Sequence, residues 1–105
     1  MKLIILESPY AGNIGENMIY AQACMRDAIL NHNEAPMVSH LLYTQCLDDN
    51  DPIEREIGIN AGLAFKSVIN KTVVYTDLGI SKGMQYGIDD ALKNGREVEY
   101  RILCK

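Results

Sequence analysis

An aspartate, a glycine, a serine and a second glycine stand where an apolar run gives way to a helical pattern, in Tyr75-Thr76-Asp77-Leu78-Gly79-Ile80-Ser81-Lys82-Gly83-Met84. The carboxylate of Asp77 can accept hydrogen bonds from sugar hydroxyls. Gly79, Ser81, Gly83 and Met84 surround a helix start, whose backbone N–H groups favour an anion such as phosphate. A second group, Ser8-Pro9-Tyr10-Ala11-Gly12-Asn13, follows the first apolar run. Its backbone N–H groups and Ser8 hydroxyl suit a phosphate, and the Tyr10 ring suits stacking on a base. A third group holds Ser39, His40 and Tyr43, with His40 as a base or an orienter. Each group also has a plain structural reading. Residues 8–13 could be an ordinary strand-to-helix turn, Asp77 a turn cap and His40 a hydrogen-bonded structural residue. Ser81-Lys82-Gly83 lacks the spacing of a P-loop. The three cysteines and two histidines show neither a metal-ligand spacing nor a Cys–His or Ser–His–Asp pattern. No metal or cofactor is therefore expected.

These groups are positioned by alternating strands and helices. Leu3 to Leu6 is a continuous apolar run, suited to a strand covered on both faces. Ile14, Met18, Ala21, Met25, Ala28 and Ile29 recur at helical spacing, and that helix ends near Asn31-His32-Asn33. Ala35 to Val38 is a short strand, with Pro36 placing it at an edge or a start. Asp51 with Pro52 and Glu54 forms a helix-start signal with a capping box. Ile53, Ile57, Ala61, Ala64, Phe65 and Val68 then predict a buried stripe. Thr72 to Tyr75 is a third strand, followed by a helix with apolar Met84, Ile88, Ala91 and Leu92 that stops at Asn94-Gly95. Val98 to Leu103 alternates as an edge strand with one wet face.

The order β-α-β-α-β-α-β predicts one α/β domain over residues 1–105. It is a small doubly wound, flavodoxin/Rossmann-like parallel sheet of four strands in the order 2-1-3-4, with three main helices. In a parallel sheet the loops leaving strands one, two and three share one rim. The switch point falls between strands one and three, so the turns at Ser8–Asn13 and Asp77–Gly83 face each other across a crevice.

Bulk properties narrow the classes. A net charge of −4 argues against a general nucleic-acid binder, because such proteins carry a basic face. The apolar opening before Glu7 and Pro9 is too short for a membrane span or signal core. Cys24, Cys46 and Cys104 read as reduced thiols, at least one of them buried, which fits a cytoplasmic protein. The apolar loop Leu41-Leu42-Tyr43 needs cover, and a second copy would supply it in a homo-oligomer.

The opening Leu3-Ile4-Ile5-Leu6-Glu7-Ser8-Pro9-Tyr10-Ala11-Gly12 resembles the start of nucleoside 2-deoxyribosyltransferase-like proteins. Asp77-Leu78-Gly79-Ile80-Ser81-Lys82-Gly83-Met84, with Gly87-Ile88 and Ala91, resembles their second signature. The stretches Ser39-His40-Leu41 and Pro52-Ile53-Glu54-Arg55 are similar to small phage and bacterial domains of that superfamily. The resemblance implies a nucleoside or nucleotide ligand and N-glycosidic chemistry through a glutamate nucleophile. It puts Gly87 where that glutamate is expected. Asp89, two residues on, points about 200° away around a helix and cannot stand in for it.

The first expectation is thus a protein that binds a nucleotide-derived small molecule at the carboxyl edge of the sheet. In a phage it would sequester a nucleotide immune signal. The alternatives are an N-glycosidase or deoxyribosyltransferase that draws its carboxylate from elsewhere, and an interaction protein inhibiting a host enzyme on a degenerate fold.

Overall fold

The computed structural model describes residues 1–103. Four strands, β1 (Lys2–Glu7), β2 (Glu34–Met37), β3 (Lys71–Tyr75) and β4 (Glu97–Arg101), form one sheet in the order β2-β1-β3-β4. All three pairings are parallel. Helices α1 (Ile14–His32), α2 (Pro52–Lys66) and α3 (Lys82–Lys93) make the crossovers. The expected α/β class, doubly wound topology and helix count are thus observed. Two short 3-10 turns, Ser39–Leu41 and Tyr43–Gln45, occupy the apolar connection after β2. The last two residues of the chain, with Cys104, lie outside the described residues.

Strand alternation sends two sets of side chains to opposite faces. On one face Ile4, Leu6, Val73 and Tyr75 pack with Cys24 and Ala28 of α1. On the other, Val74 packs with Met84 and Ile88 of α3, while Ile5, Met37 and Ile69 form a small neighbouring cluster. Asn13 caps α1 by accepting a hydrogen bond from Glu16 N at 3.2 Å, and Asn33 ends that helix in the left-handed region at φ 54°. Ser81 caps α3 by accepting from Met84 N at 3.2 Å.

The structure corrects several expectations at side-chain level. The α2 stripe faces outward: Ile53, Ile57 and Val68 are 71%, 55% and 67% exposed, and Phe65 is half exposed. Gly62 is instead the buried residue of α2, with Gly58 one turn before it and Lys66 one turn after it, both partly covered. Gly58 lets Leu47 and Tyr43 approach the helix, since a Cβ there would lie 3.2 Å from Leu47 Cδ1. Glu54 does not close a capping box on Asp51: its Oε1 accepts from Asp48 N at 3.1 Å, and Asp51 alone caps through Ile53 N. Ile14, Ile29 and Leu92 are exposed, because their helices turn Asn17, Cys24 and Gly87 toward the body. β2 stops at Met37 and β4 at Arg101. Beyond β4 the chain turns to give Leu103 N to Asp77 at 3.0 Å.

One buried network ties the sheet edges together. Arg101 donates to both oxygens of Glu34, at 2.9 and 3.1 Å, and to Tyr75 Oη at 3.0 Å. Tyr75 donates in turn to Asp27 of α1 at 2.8 Å. Lys71 adds contacts to Glu34 and Glu99. A bidentate guanidinium–carboxylate pair with its remaining donors satisfied is the favourable form of a buried ion pair. Removing one partner strands the other. Glu34→Ala is expected to lower unfolding free energy by about 3–5 kcal/mol, a large share of a small domain's stability. A urea titration with unchanged slope and a lower midpoint is the measurement, and an unshifted midpoint refutes the claim.

Candidate functional site

The carboxyl ends of β1 and β3 open on the same rim, and the chain is hollow there. A cavity of about 780 Å³ lies among the β1 exit, the 3-10 turns, α2 and the start of α3. Ser8, Tyr10 and Ala11 line it from the first turn, and Ser81, Lys82, Gly83 and Met84 from the third. The two turns expected to face each other therefore do so. His40 and Tyr43 close the cavity from the 3-10 turns. Among the sequence-derived candidates, Ser8, Tyr10, His40, Ser81, Gly83 and Met84 are brought together.

Gly12, Asn13, Asp77 and Gly79 lie outside this lining. Asn13 serves as the α1 cap, and Gly12 and Gly79 take positive φ values of 95° and 83° in their turns. Asp77 Oδ1 accepts from Tyr20 Oη at 2.6 Å, and both of its carboxylate oxygens accept from Leu103 N. These bonds hold α1, the β3 exit and the segment after β4 together.

Inside the cavity Ser8 Oγ and His40 Nε2 are 3.4 Å apart, and the Tyr10 and His40 rings stand 5.3 Å apart with a 41° tilt. Burial pushes the His40 imidazole down to about 4, so it is neutral at physiological pH. A neutral ring can accept a proton or hydrogen-bond a ligand amide without adding charge. The positive charge comes from Arg55 and Lys66 of α2 and from Lys82 at the start of α3. Tyr86 stands exposed on the rim.

The residue with the greatest chemical consequence is Glu7, which the reading of the turns passed over. It is the last residue of β1, placed by strand alternation on the same face as Ile5. Its carboxylate lies against the α3 backbone at Gly87. A Cβ built on Gly87 would stand 2.8 Å from Glu7 Oε1, with Oε2 and Cδ nearer still. Any side chain at residue 87 thus requires the carboxylate to move. Lys66 Nζ is 3.8 Å from Oε2 and forms the ion pair to Glu7 among the described residues. Burial pushes the Glu7 carboxyl up to about 7, although Lys66 and Arg96 pull it down. Arg96 is tied to Ile69 O and Asp90 Oδ2, so its charge acts on Glu7 from a fixed position. The sequence signal for Glu7 is an acidic residue closing an otherwise apolar strand. The signal for the α2 wall is Gly58, Gly62 and Lys66 at intervals of four.

No group of three or more His, Cys, Asp or Glu among the described residues could hold a metal ion. No described helix is long and apolar enough to cross a membrane. The lining sets rings and hydroxyls beside the cations Arg55, Lys66 and Lys82 and the carboxylates Glu7, Asp49, Glu54 and Asp90, suited to a polar organic ligand carrying a flat group.

A stability consequence follows from Glu7. Its folded-state value lies above the ordinary 4.5, so the folded chain binds the proton more tightly than the unfolded one. Its favourable contribution is complete below pH 4.5 and is lost as pH rises through about 7. Glu7→Gln, which cannot ionise, is expected to exceed the parent by roughly 3 kcal/mol at pH 8 and to match it near pH 4.5. Thermal melts at the two pH values test this. Equal gaps at both would exclude ionisation of Glu7 as the cause.

Comparison with known proteins gives one family. No curated protein matches the chain. Residues 2–101 match the family described as Domain of unknown function (DUF7768), from the first strand through the last, so every wall of the cavity falls within the match. The chain belongs to that family.

Proposed function

We propose that the protein binds a nucleotide-derived small molecule in the cavity at the carboxyl edge of the sheet. The observation that carries this reading is the convergence of Ser8, Tyr10, His40, Ser81 and Lys82, drawn from three separate loops, on one cavity of about 780 Å³. That volume lies within the range of small-ligand sites, and the place is the switch point of a doubly wound sheet. Tyr10 offers a face for a base. Ser81 and Lys82 offer a hydroxyl, a cation and a helix start for a phosphate. Ser8 and His40 offer partners for sugar hydroxyls. The similarity to nucleoside 2-deoxyribosyltransferase-like proteins supports the same ligand class. In a phage, such binding would serve to sequester a nucleotide signal.

An oligomer is part of the proposal, with its surface moved. Leu41 packs on the chain's own core, so the loop needs less cover than its composition suggests. The outward stripe of α2 is the larger uncovered apolar area. Antiparallel packing of two such helices, with the two-fold axis between Asn60 and Ala61, would set Ile57 of one copy against Ala64 of the other, large against small. Light scattering is expected to give twice the 11.7 kDa chain mass, and Ile57→Glu the single mass.

Calorimetric titration with ribo- and 2′-deoxyribonucleoside 5′-monophosphates tests the binding reading. Saturable heat is expected with at least one of them. Loss of the Tyr10 ring in Tyr10→Ala should weaken that binding about tenfold or more, as loss of a stacked base contact does. An absence of heat across the series defeats the proposal.

A further inference from the structure

The carboxylates that line the cavity differ in what already satisfies them. Asp90 holds Arg96 at 3.3 Å, Glu54 accepts from Asp48 N at 3.1 Å, and Asp49 stands exposed to water. Glu7 is different. Its side chain is only 14% exposed, and Lys66 Nζ stands 3.8 Å from its Oε2, beyond hydrogen-bond length. An ionised carboxylate offers acceptors alone, and a dry one costs free energy until N–H or O–H groups reach it. The room that holds it exists because α3 carries glycine at residue 87. Beside it the Lys66 ammonium, a group of donors alone, is nearly as dry at 15% exposure. The floor of the cavity thus presents a pair of acceptors next to a donor.

We propose that Glu7 and Lys66 together read the hydrogen-bonding edge of guanine, and that the cavity selects a guanine nucleotide. The assignment rests on the nucleotide-binding reading above. Guanine presents two N–H donors side by side, at N1 and the 2-amino group, with the O6 carbonyl next to N1. A carboxylate takes the two donors in one bidentate contact, and an ammonium beside it donates to the carbonyl. The other bases set lone pairs where the carboxylate needs donors. Adenine has a bare N1 beside its 6-amino group, cytosine has a bare N3 beside its 4-amino group, and uracil flanks its one N–H with two carbonyls. Each would leave Glu7 poorly satisfied in a dry site. A guanidinium offers paired donors too, but it has no acceptor for Lys66 and sets a cation against that ammonium. The placement fits a nucleotide. Tyr10 follows Glu7 by three residues on the same strand exit and lines the same cavity. Lys82 starts α3, and Gly87 lies five residues further along it, about 7.5 Å of helix. That separation leaves room for a sugar between the phosphate end and the base edge.

Several charged groups face Glu7. Lys66 reaches it from α2, Asp90 from α3 and Arg96 from the turn before β4. Arg55, Glu54, Asp49 and Lys82 line the rest of the cavity, and His40 is neutral above about pH 4. Burial pushes the Glu7 carboxyl up to about 7, and only its ionised form accepts from both guanine donors. Guanine binding therefore releases a proton below that pH, and the preference for guanine rises as pH increases through it. Guanosine and adenosine monophosphates share the titration of their phosphate, so the ratio of their affinities isolates Glu7.

The test titrates the intact chain calorimetrically with guanosine, inosine, xanthosine, adenosine, cytidine and uridine 5′-monophosphates, and with agmatine as a guanidinium without a base. Guanosine monophosphate is expected to bind about ten- to a hundredfold more tightly than the adenosine, cytidine and uridine compounds, as a bidentate base contact does. Inosine monophosphate, which lacks the 2-amino donor, should fall between. Xanthosine monophosphate, with a carbonyl in that place, should join the weak group. The guanosine-to-adenosine ratio should grow between about pH 6 and about pH 8. Glu7→Gln keeps the size of the side chain but turns one acceptor into a donor. It is expected to bring guanosine affinity down to the adenosine level and to flatten the pH dependence of the ratio, with a thermal melt confirming that the variant is folded. Equal affinity for guanosine and adenosine monophosphates in the parent overturns the assignment and leaves the binding reading standing. Glu7→Gln with the parent's preference does the same. Agmatine bound as tightly as guanosine monophosphate overturns it in favour of a guanidinium group. Absence of binding across the series removes both readings.

Discussion

The close approach of a buried carboxylate to the backbone of a helix organises one whole face of this sheet. Glu7 ends a strand whose preceding residues belong to the core, so its side chain leaves the sheet into the space between α2 and α3. That space must stay open. Gly87 keeps α3 from filling it, and Gly58 and Gly62 line the cavity from α2. Lys66 then brings a compensating charge from the next turn of α2. The sheet-facing side of α2 is consequently small and polar. The helix carries its large aliphatic residues on the side away from the sheet, which inverts the usual arrangement of an amphipathic helix on a core. The cavity, the uncovered stripe and the dry carboxylate are three aspects of one packing choice.

The contrast with the other buried ionic group shows that this choice is specific. Glu34 and Arg101 are buried more deeply than Glu7, yet the donors and acceptors there meet partners at short range, through Tyr75, Asp27, Glu99 and Lys71. That network lies away from the cavity and joins the first residue of β2 to the last of β4. A chain able to satisfy one buried carboxylate so fully has not done so for the other. Positions where local rules are left unmet tend to coincide with function, since a satisfied group is also an inert one.

The backbone architecture was legible because it depends on patterns that do not need the partner surface. Apolar runs, the Asp51-Pro52 start, the Ser81 cap and the Asn94-Gly95 stop located the elements to within a few residues. Alternation of strand and helix then supplied the sheet order through crossover handedness. The meeting of the Ser8 and Ser81 turns followed from that order. The orientation of α2 was not legible. Periodicity identifies an apolar face without saying what it packs against, and on α2 the inward side is marked by small residues rather than large ones. Glu7 was hidden for a related reason. Its neighbour across the cavity is a glycine, and a glycine offers no side chain from which a pairing could be inferred.

The same geometry links the cavity to the assembly proposal. α2 forms a wall of the cavity through Arg55, Gly58, Gly62 and Lys66, while its outer side is bare. Glycine lowers helix propensity at two positions on the covered side of α2, and Gly62 is the buried residue of that helix. Cover on the outer stripe would therefore steady the helix that holds Lys66 against Glu7. A small change in the position of Lys66 matters electrically, because the ion pair is already long and the surroundings are dry. Association through α2 would then act on the site without contributing a residue to it, by fixing how closely one cation approaches one carboxylate.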